Sequence, residues 1–307
     1  MLAIGDKDYI LRGMNKLPLQ TRVQILSMLC EGASMRSISR VADVSINTVA
    51  KLLVDAGKAC AAFHDEKVRG VKARRVQVDE IWTFTAAKQA NVQRMKQPVE
   101  NAGDTWTWTA IEADTKLLIS WLVGGRDLEY AVAFMDDLRD RLANRVQLTS
   151  DGHRAYFEAV EDVFGGDVDY AQLIKLFGPS KTVDGRYSPP ACVGARKERL
   201  TGSPDPKHVS TSFAERQNLT MRMQMRRFTR LTNAFSKKFE NHMHMVALYT
   251  VWYNYVKQHK SLKGLSPAIA AGISDTLWSM TDLAEMIDAR LPKPGRRGPY
   301  RKQVAVA

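Results

Sequence analysis

The sequence predicts an α/β protein in which an all-α N-terminal domain precedes a mixed α/β core. Residues 19–57 carry apolar side chains at helical spacing. Residues 76–176 instead combine runs rich in β-branched and aromatic residues with helical stretches. Because three strand-like runs come first and later ones alternate with helices, the core should join an antiparallel meander to crossover units.

The chain is basic enough to predict a polyanionic partner. It has 307 residues, enough for more than one domain, and 45 Lys and Arg against 33 Asp and Glu give a formal net charge of +12. Such an excess favours nucleic acid or an anionic membrane surface. No apolar run is long enough for a transmembrane helix, and no basic amphipathic anchor is evident. Nucleic acid is therefore favoured over a membrane.

Cysteine usage and the first residues predict a cytoplasmic protein. The three cysteines, Cys30, Cys60 and Cys192, form no CxxC pair, which argues against a disulfide framework and against a zinc site. The opening residues lack the shape of a secretory signal. A reducing compartment fits this pattern best.

Residues 1–57 are predicted to form a helix-turn-helix domain that binds DNA. Gly32 should end a first helix, a turn follows a second at residues 42–44, and Ser45 is a good N-cap for a third. Two short helices joined by such a turn suit helix-turn-helix geometry, and the third would enter the major groove. A small helical bundle with another purpose is the alternative. The side chains predicted to contact DNA are Ser45, Asn47, Thr48 and Lys51.

Residues 58–75 are predicted to be a basic linker to the core. The segment ends in a short cluster containing Arg74 and Arg75. These two side chains could follow a phosphate backbone, or the segment could be a solvated connection.

The core, residues 76–259, has a predicted element order that matches a ribonuclease H-like fold. Turn residues at 113–115 predict a hairpin between the second and third strands. The predicted strands are 76–85, 105–112, 116–123, 145–149 and 169–176, with helices at 128–142 and 153–164 and a long helix after an irregular segment. In such sheets, sites collect where strands end near a switch point.

Three acidic residues stand out against this order. Asp79 interrupts the strand-forming run VQVDEIW, Asp151 follows the fourth strand, and Glu215 lies in the first or second turn of a helix that Ser210 or Thr211 could cap. Three converging carboxylates repel one another and make sense as ligands of Mg²⁺, where two ions could act on a phosphodiester. Alternatively, Asp151 is a turn residue and Glu215 a favourable charge at a helix N terminus.

Glu80 follows Asp79 directly. Successive side chains of a regular strand point to opposite faces, so only one of this pair should face a metal.

The helix that carries Glu215 is predicted to present arginines to DNA. Residues 216–238 contain seven basic residues and no Asp or Glu. Helical spacing puts Arg222 and Arg226 on the face of Glu215. A solvated basic face is the alternative, although it would normally contain interspersed acids. The predicted DNA contacts in this segment are Arg222, Arg226 and Arg230.

From about residue 20 to residue 288, the sequence resembles a bacterial DDE transposase of the insertion-sequence-one type, distantly similar to retroviral integrases. The resemblance implies a helix-turn-helix that binds transposon ends, a ribonuclease H-like core, and Asp79, Asp151 and Glu215 as catalytic acids that hold Mg²⁺ or Mn²⁺. It also implies hydrolysis at the ends of the element, attack by the freed 3′-hydroxyl on target DNA, and a homo-oligomer on DNA. The motifs that carry it are VDEIW, GDTWTWTAIEADTKLLISWLVGGRD, LTSDGHRAY, STSFAERQNLTMRMQMRRFTRLTNAFSKK and YNYVKQHKSLKGLSPAIAAGI.

The interval between the second Asp and the Glu departs from many integrase-like families. Asp151 and Glu215 are 64 positions apart, longer than is usual there. The extra length falls in a Pro/Gly-rich segment at 178–210, predicted to be a loop-like insertion, in which Glu198 is the nearest rival to Glu215. After the core we expect a C-terminal helical segment at 260–290 and a disordered basic tail at 291–307.

Two other functions remain compatible with the sequence. A domesticated, catalytically silent protein would keep the DNA-binding domain, and a ribonuclease H-like nuclease would cleave without joining strands. The same metal site serves hydrolysis and transesterification, so residue patterns separate these possibilities poorly.

Overall fold

The computed structural model describes residues 16–178, 191–229 and 233–292. The helices are α1 Leu19–Cys30, α2 Met35–Val41, α3 Ile46–Lys67, α4 Gln89–Val92, α5 Leu128–Arg141, α6 Arg154–Phe164, α7 Ser212–Gln224, α8 Phe239–Val251, α9 Pro267–Ala270 and α10 Met280–Arg290. The strands are β1 Arg75–Thr85, β2 Gly103–Glu112, β3 Leu118–Gly124, β4 Gln147–Asp151, β5 Asp169–Gly178 and β6 Ala191–Thr201.

The strands form one mixed sheet in the order β3-β2-β1-β4-β5-β6. The meander β1-β2-β3 is antiparallel, whereas β4 and β5 run parallel to β1. Glu112 closes the predicted β2–β3 hairpin, because its carboxylate accepts hydrogen bonds from the backbone N–H groups of Asp114 (2.8 Å) and Thr115 (2.5 Å). The predicted fold class, an α/β core of ribonuclease H-like topology with a helical N-terminal region, is confirmed.

Helices cover both faces of the sheet, and β1 alternates between them. Val76 and Val78 belong to a core cluster formed with α5 and α6. Ile81 belongs to a second cluster, which α7, α8, α10 and the N-terminal helices share. Side chains of β1 at even positions therefore face α5 and α6, and those at odd positions face α7.

The N-terminal helices begin and end where the sequence predicts. Gly32 has a positive φ of 76° after α1, and Asp43 has φ 48° in the turn between α2 and α3. The side chain of Ser45 accepts a hydrogen bond from the backbone N–H of Thr48 at 3.1 Å, as expected of an N-cap.

Helix α3 continues to Lys67, so most of the predicted linker at 58–75 is helical. Ala59, Cys60 and Phe63 are buried in the cluster that contains α8. Arg141 holds the end of the helix, since its Nη1 atom donates to the carbonyl of Val68 at 3.1 Å. Packing of these apolar side chains against α8 outweighs the polar appearance of the segment.

The predicted insertion at 178–210 is not a plain loop. Part of it forms β6, which pairs antiparallel with β5 and adds a sixth strand to the sheet. Glu198 lies in β6 opposite Gln172 and forms an ion pair with Arg196 at 3.0 Å, so its predicted loop context is wrong. The strand was hard to predict because most of its side chains are exposed, and its main stabilisation is backbone pairing with a distant segment.

The predicted C-terminal helical segment contains α9 and α10, and a short π-helical stretch, Trp252–Val256, follows α8. Of the predicted basic tail, residues 293–307 lie outside the described residues. None of the helices in the described ranges is both long and apolar enough to cross a membrane.

Helix α3 approaches α8 closely at Gly57, because a Cβ added there would lie 2.3 Å from the Cβ of His244. Gly57→Ala is expected to lower the melting temperature of the full chain. Alanine gains about 1 kcal/mol of helix propensity, but the overlap falls in a packed interface, where overpacking costs roughly 1–3 kcal/mol.

Thermal unfolding followed by circular dichroism checks this expectation. Gly166→Ala is the matched control, because an added Cβ there meets nothing within 4 Å. A melting temperature for Gly57→Ala equal to or above that of the wild type would contradict the packing described for α3.

Candidate active site

A cleft opens where β1 and β4 separate. The two strands pair only over residues 75–77 of β1, so Asp79 and Asp151 lie beyond the paired region at the same sheet edge. Helix α7 forms the opposite wall and contributes Glu215. The cavity has a volume of about 790 Å³, and all three predicted acids line it.

Asp79 faces α7 and is surrounded by other acids. Its Oδ2 atom accepts a hydrogen bond from Nδ2 of Asn218 at 2.8 Å, and its Oδ1 atom accepts one from the backbone N–H of Glu80 at 2.9 Å. Burial is the largest cause that raises the pKa of Asp79 to about 7, followed by the charges of Glu80, Asp151 and Glu215. Folding therefore holds Asp79 where its own negative charge is disfavoured.

Asp151 is both a turn residue and part of the cleft. Its Oδ1 atom accepts a hydrogen bond from the backbone N–H of His153 at 2.9 Å, which stabilises the turn into α6. The carboxylates of Asp79, Glu80 and Asp151 nevertheless each offer an oxygen within 4.8 Å of the other two. Asp151 therefore has the turn role that the sequence offered as an alternative, and its carboxylate also belongs to the cluster.

Glu215 lies in the first turn of α7, and β1 fixes the start of that helix. Oε1 of Gln77 accepts hydrogen bonds from the backbone N–H groups of Phe213 at 2.7 Å and Ala214 at 3.3 Å. Gln77 thereby satisfies two of the N–H groups that a helix N terminus leaves without partners. Gln77 lies two positions before Asp79 on β1. The same strand therefore carries Asp79 and fixes the helix that carries Glu215.

The carboxylate of Glu215 lies at the edge of the acid cluster. It accepts a hydrogen bond from Oγ1 of Thr211 at 2.5 Å and forms an ion pair with Lys175 of β5 at 2.6 Å. Of the two predicted capping residues, Ser210 accepts a hydrogen bond from the backbone N–H of Ser212 at 3.2 Å, whereas Thr211 bonds the Glu215 side chain instead of a backbone N–H.

Glu80 is a further functional candidate, which strand alternation placed away from the cleft. It faces α5 and α6, as strand alternation predicts, and the hydroxyl of Tyr156 donates to its Oε2 atom at 2.8 Å. Arg126 binds its Oε1 atom through Nη2 at 2.6 Å and Nε at 2.8 Å. Although it points to the opposite face of β1, the Glu80 carboxylate offers an oxygen within 4.8 Å of those of Asp79 and Asp151, so both acids of the pair belong to the cluster. Residues 46 and 76 positions away supply its partners, which a local pattern does not show.

The donor set of this cleft fits hard divalent cations. The clustered groups offer carboxylate oxygens, the ligands that Mg²⁺ and Mn²⁺ prefer, and their mutual repulsion is relieved by positive charge. Oδ1 of Asn218, beside Asp79, is buried without a hydrogen-bond partner among the described residues, so it can accept a bond from cation-bound water.

The predicted basic contacts divide between the cleft and other positions. Arg222 lines the cleft with Glu215. Helix α7 ends at Gln224, and Arg226 follows in a separate 3₁₀ turn, so the prediction that Arg226 continues the helical face of Glu215 is wrong. Arg230 lies outside the described residues.

The remaining predicted contacts lie at the N terminus of α3 and before β1. The hydroxyl of Ser45 is used in the N-cap and also bonds Oγ1 of Thr48 at 2.9 Å, whereas Asn47 and Lys51 are exposed. Arg74 is exposed, but Arg75 forms an ion pair with Asp114 and contacts Nδ1 of His208.

Comparisons with known proteins give only a distant structural likeness. No protein-family model matches the sequence, and no curated protein matches it. A Mos1 transposase paired-end complex with the left transposon end is 13% identical with a TM-score of 0.22, over 52% of this chain and 60% of that one. A Mos1 strand transfer complex is 15% identical with a TM-score of 0.22, over the same shares.

A Mos1 mariner paired-end complex with Mn is 12% identical with a TM-score of 0.27, over 81% of this chain and 80% of that one. In the first two comparisons, the match spans less than two thirds of the Mos1 chain. Scores this low do not bear on the chemistry of this protein.

The raised pKa of Asp79 makes the stability of the protein depend on pH. Because the folded state binds this proton more tightly than the unfolded state, the stabilisation present below pH about 4 is lost as the pH rises towards about 7. Asp79→Asn removes that loss. Without divalent metal at pH 8, this variant should therefore melt at least about 3 °C above the wild type.

The gain should shrink as the pH falls towards 4, which a series of thermal unfolding curves measures. Asp136→Asn, at an exposed position on α5, is the control and should show no such pH-dependent gain. A difference between Asp79→Asn and wild type that stays constant over the whole pH range would contradict the electrostatic description of the cluster.

Proposed function

We propose that this protein is a DNA transposase of the DDE class that cleaves DNA at the ends of a mobile element and joins them to target DNA. The observation that carries the proposal is the convergence of Asp79, Asp151 and Glu215 on one cleft of a ribonuclease H-like sheet. Asp79, Glu80 and Asp151 each offer an oxygen within 4.8 Å of the other two, and such crowding of carboxylates is unfavourable without a cationic ligand.

Asp79, Asp151 and Glu215 would hold two Mg²⁺ or Mn²⁺ ions. When bound, such a pair activates the attacking oxygen and stabilises the leaving oxygen of a phosphodiester. Glu80 keeps its place in the cluster through Arg126 and Tyr156, whose bonds fix its carboxylate.

Two groups on α7 assist the acids. Asn218 orients the carboxylate of Asp79 through their hydrogen bond. Arg222, on the same cleft wall as Glu215, would hold a phosphate of the DNA backbone against the acids.

The N-terminal helices would recognise the ends of the element. The exposed Asn47 and Lys51 at the start of α3 suit contacts with a base edge and a phosphate respectively. Together with the sequence resemblance, they support an insertion-sequence-one type enzyme of the bacterial cytoplasm. Such an enzyme would associate with the nucleoid while bound to double-stranded DNA and act as a homo-oligomer on two ends.

A strand-transfer assay tests the catalytic proposal. Labelled duplex ends taken from the DNA that flanks the gene are incubated with a supercoiled target plasmid and Mg²⁺ or Mn²⁺. The wild type should give joined products, and Asp79→Asn, Asp151→Asn and Glu215→Gln should each reduce them by at least about 100-fold, because each removes a metal ligand. Glu198→Gln, which alters the rival acid in β6, should leave the products unchanged.

The other outcomes discriminate the alternatives. Cleavage without joining would identify a nuclease instead of a transposase. Specific end binding with neither product under both metals would identify a catalytically silent DNA-binding protein. Loss of joining in Glu198→Gln together with retained joining in Glu215→Gln would overturn the assignment of the third acid.

End recognition is tested separately by binding. Asn47→Ala should weaken binding to the flanking ends by about 1–3 kcal/mol while changing binding to unrelated DNA little, since a base contact carries specificity. Fluorescence anisotropy at fixed salt measures both affinities. Lys58→Ala, an exposed position farther along α3, is the matched control. Equal losses on both DNAs would contradict base readout by Asn47.

A further inference from the structure

The cleft has an apolar wall in addition to its acids. Leu173, Ile174 and Phe177 of β5 and Leu219 of α7 line the same cavity as the carboxylates. A metal site that handles only a phosphodiester backbone needs charge and hydrogen bonds, which apolar side chains do not supply. The composition of this wall therefore points to a second chemical group of the substrate.

The register of α7 and β5 orders these side chains. Glu215, Leu219 and Arg222 recur at helical spacing on the cleft face of α7, which gives an acid, an apolar group and a cation in succession. On β5, Lys175 contacts Glu215. Phe177 lies two positions farther on the same strand face. Phe177 on β5 and Leu219 on α7 thus follow the Lys175–Glu215 ion pair along their own elements, and both line the cleft.

Both members of this pair are exposed. Phe177 is 60% exposed and Leu219 is 42% exposed, although each lies next to a half-enclosed cavity in which an apolar ligand would cover it. A ligand with an apolar face that entered the cleft would remove both side chains from water, which is favourable.

We propose that Phe177 and Leu219 hold the base of an unpaired terminal nucleotide of the DNA end, whose phosphate lies at the carboxylates. This inference rests on the proposed function. The bases of an intact duplex are stacked and paired, and only an unstacked base presents an apolar face to such a wall. The basic Lys175 and Arg222 of the same cleft match the charge of a nucleotide strand.

A consequence is that the protein must open the last base pair before its phosphate reaches the acids. Opening costs free energy, which the contacts of the base with Phe177 and Leu219 offset. The wall therefore matters most for a fully paired end, and an end that is already mispaired should need it less.

The first test measures opening without cleavage. The full chain is mixed, in Ca²⁺, with a duplex end that carries 2-aminopurine at its last base pair, and fluorescence is recorded at saturating protein. The wild type should raise the fluorescence several-fold, because unstacking relieves quenching, and Phe177→Ala and Leu219→Ala should largely abolish the rise. Leu176→Ala and Met223→Ala are matched controls, since they truncate exposed neighbours, 50% and 64% exposed, that do not line the cleft.

The second test is rescue by the substrate. Phe177→Ala should cleave a paired end about tenfold more slowly than the wild type, the loss expected from one base stack. A mispaired terminal base pair should restore its rate to within about twofold of the wild type on that substrate.

The outcomes separate this inference from the function on which it rests. A fluorescence rise that depends on Phe177, in a chain that cleaves neither substrate, would support the base contact and count against the transposase. Cleavage that depends on Asp151, with no fluorescence rise or with equal rises in all variants, would overturn the base contact alone. Equal cleavage defects of Phe177→Ala on paired and mispaired ends would also overturn it.

Discussion

The arrangement of the site depends on one strand, β1, and on the hydrogen bonds that Gln77 makes with the start of α7. Gln77 and Asp79 lie on the same face of β1, two residues apart. The first accepts the N–H groups of α7 and the second accepts a bond from Asn218 one helical turn later. This pair of contacts fixes the helix in both position and rotation, so Glu215 and Arg222 face the cleft.

Glu80, on the opposite face of β1, contributes a further carboxylate to the cluster. Glu80 reaches Tyr156 of α6 and Arg126, and these bonds keep its charge beside Asp79 and Asp151. The cluster is costly in itself, as the raised pKa of Asp79 shows. A divalent cation held by these residues would reverse that balance, because it would favour the ionised carboxylates that the bare cleft disfavours.

Much of the fold follows from local sequence. The end of α1 at Gly32, the start of α3 at Ser45 and the hairpin at Glu112 lie where the pattern predicts. Each depends only on residues within a few positions. Asp79 and Asp151 could also be singled out from the sequence, because an acid within or at the end of a buried strand conflicts with its surroundings unless it serves a function.

Other features depend on contacts between distant segments, which no local pattern contains. Strand β6 is stabilised by pairing with β5, the extension of α3 by packing on α8, and the position of Glu80 by partners in two other elements. The prediction for Arg226 failed because it assumed that the helix continues past Gln224, where α7 ends.

We propose above that acids from β1, β4 and α7 form a divalent-metal site. The most direct measurement is Mn²⁺ binding to the full chain with its DNA ends, followed by the electron paramagnetic resonance signal of the free ion. We expect saturable binding by the wild type and by Glu198→Gln, and strongly weakened binding by Asp79→Asn and Asp151→Asn. Binding that is the same in all four proteins would contradict it.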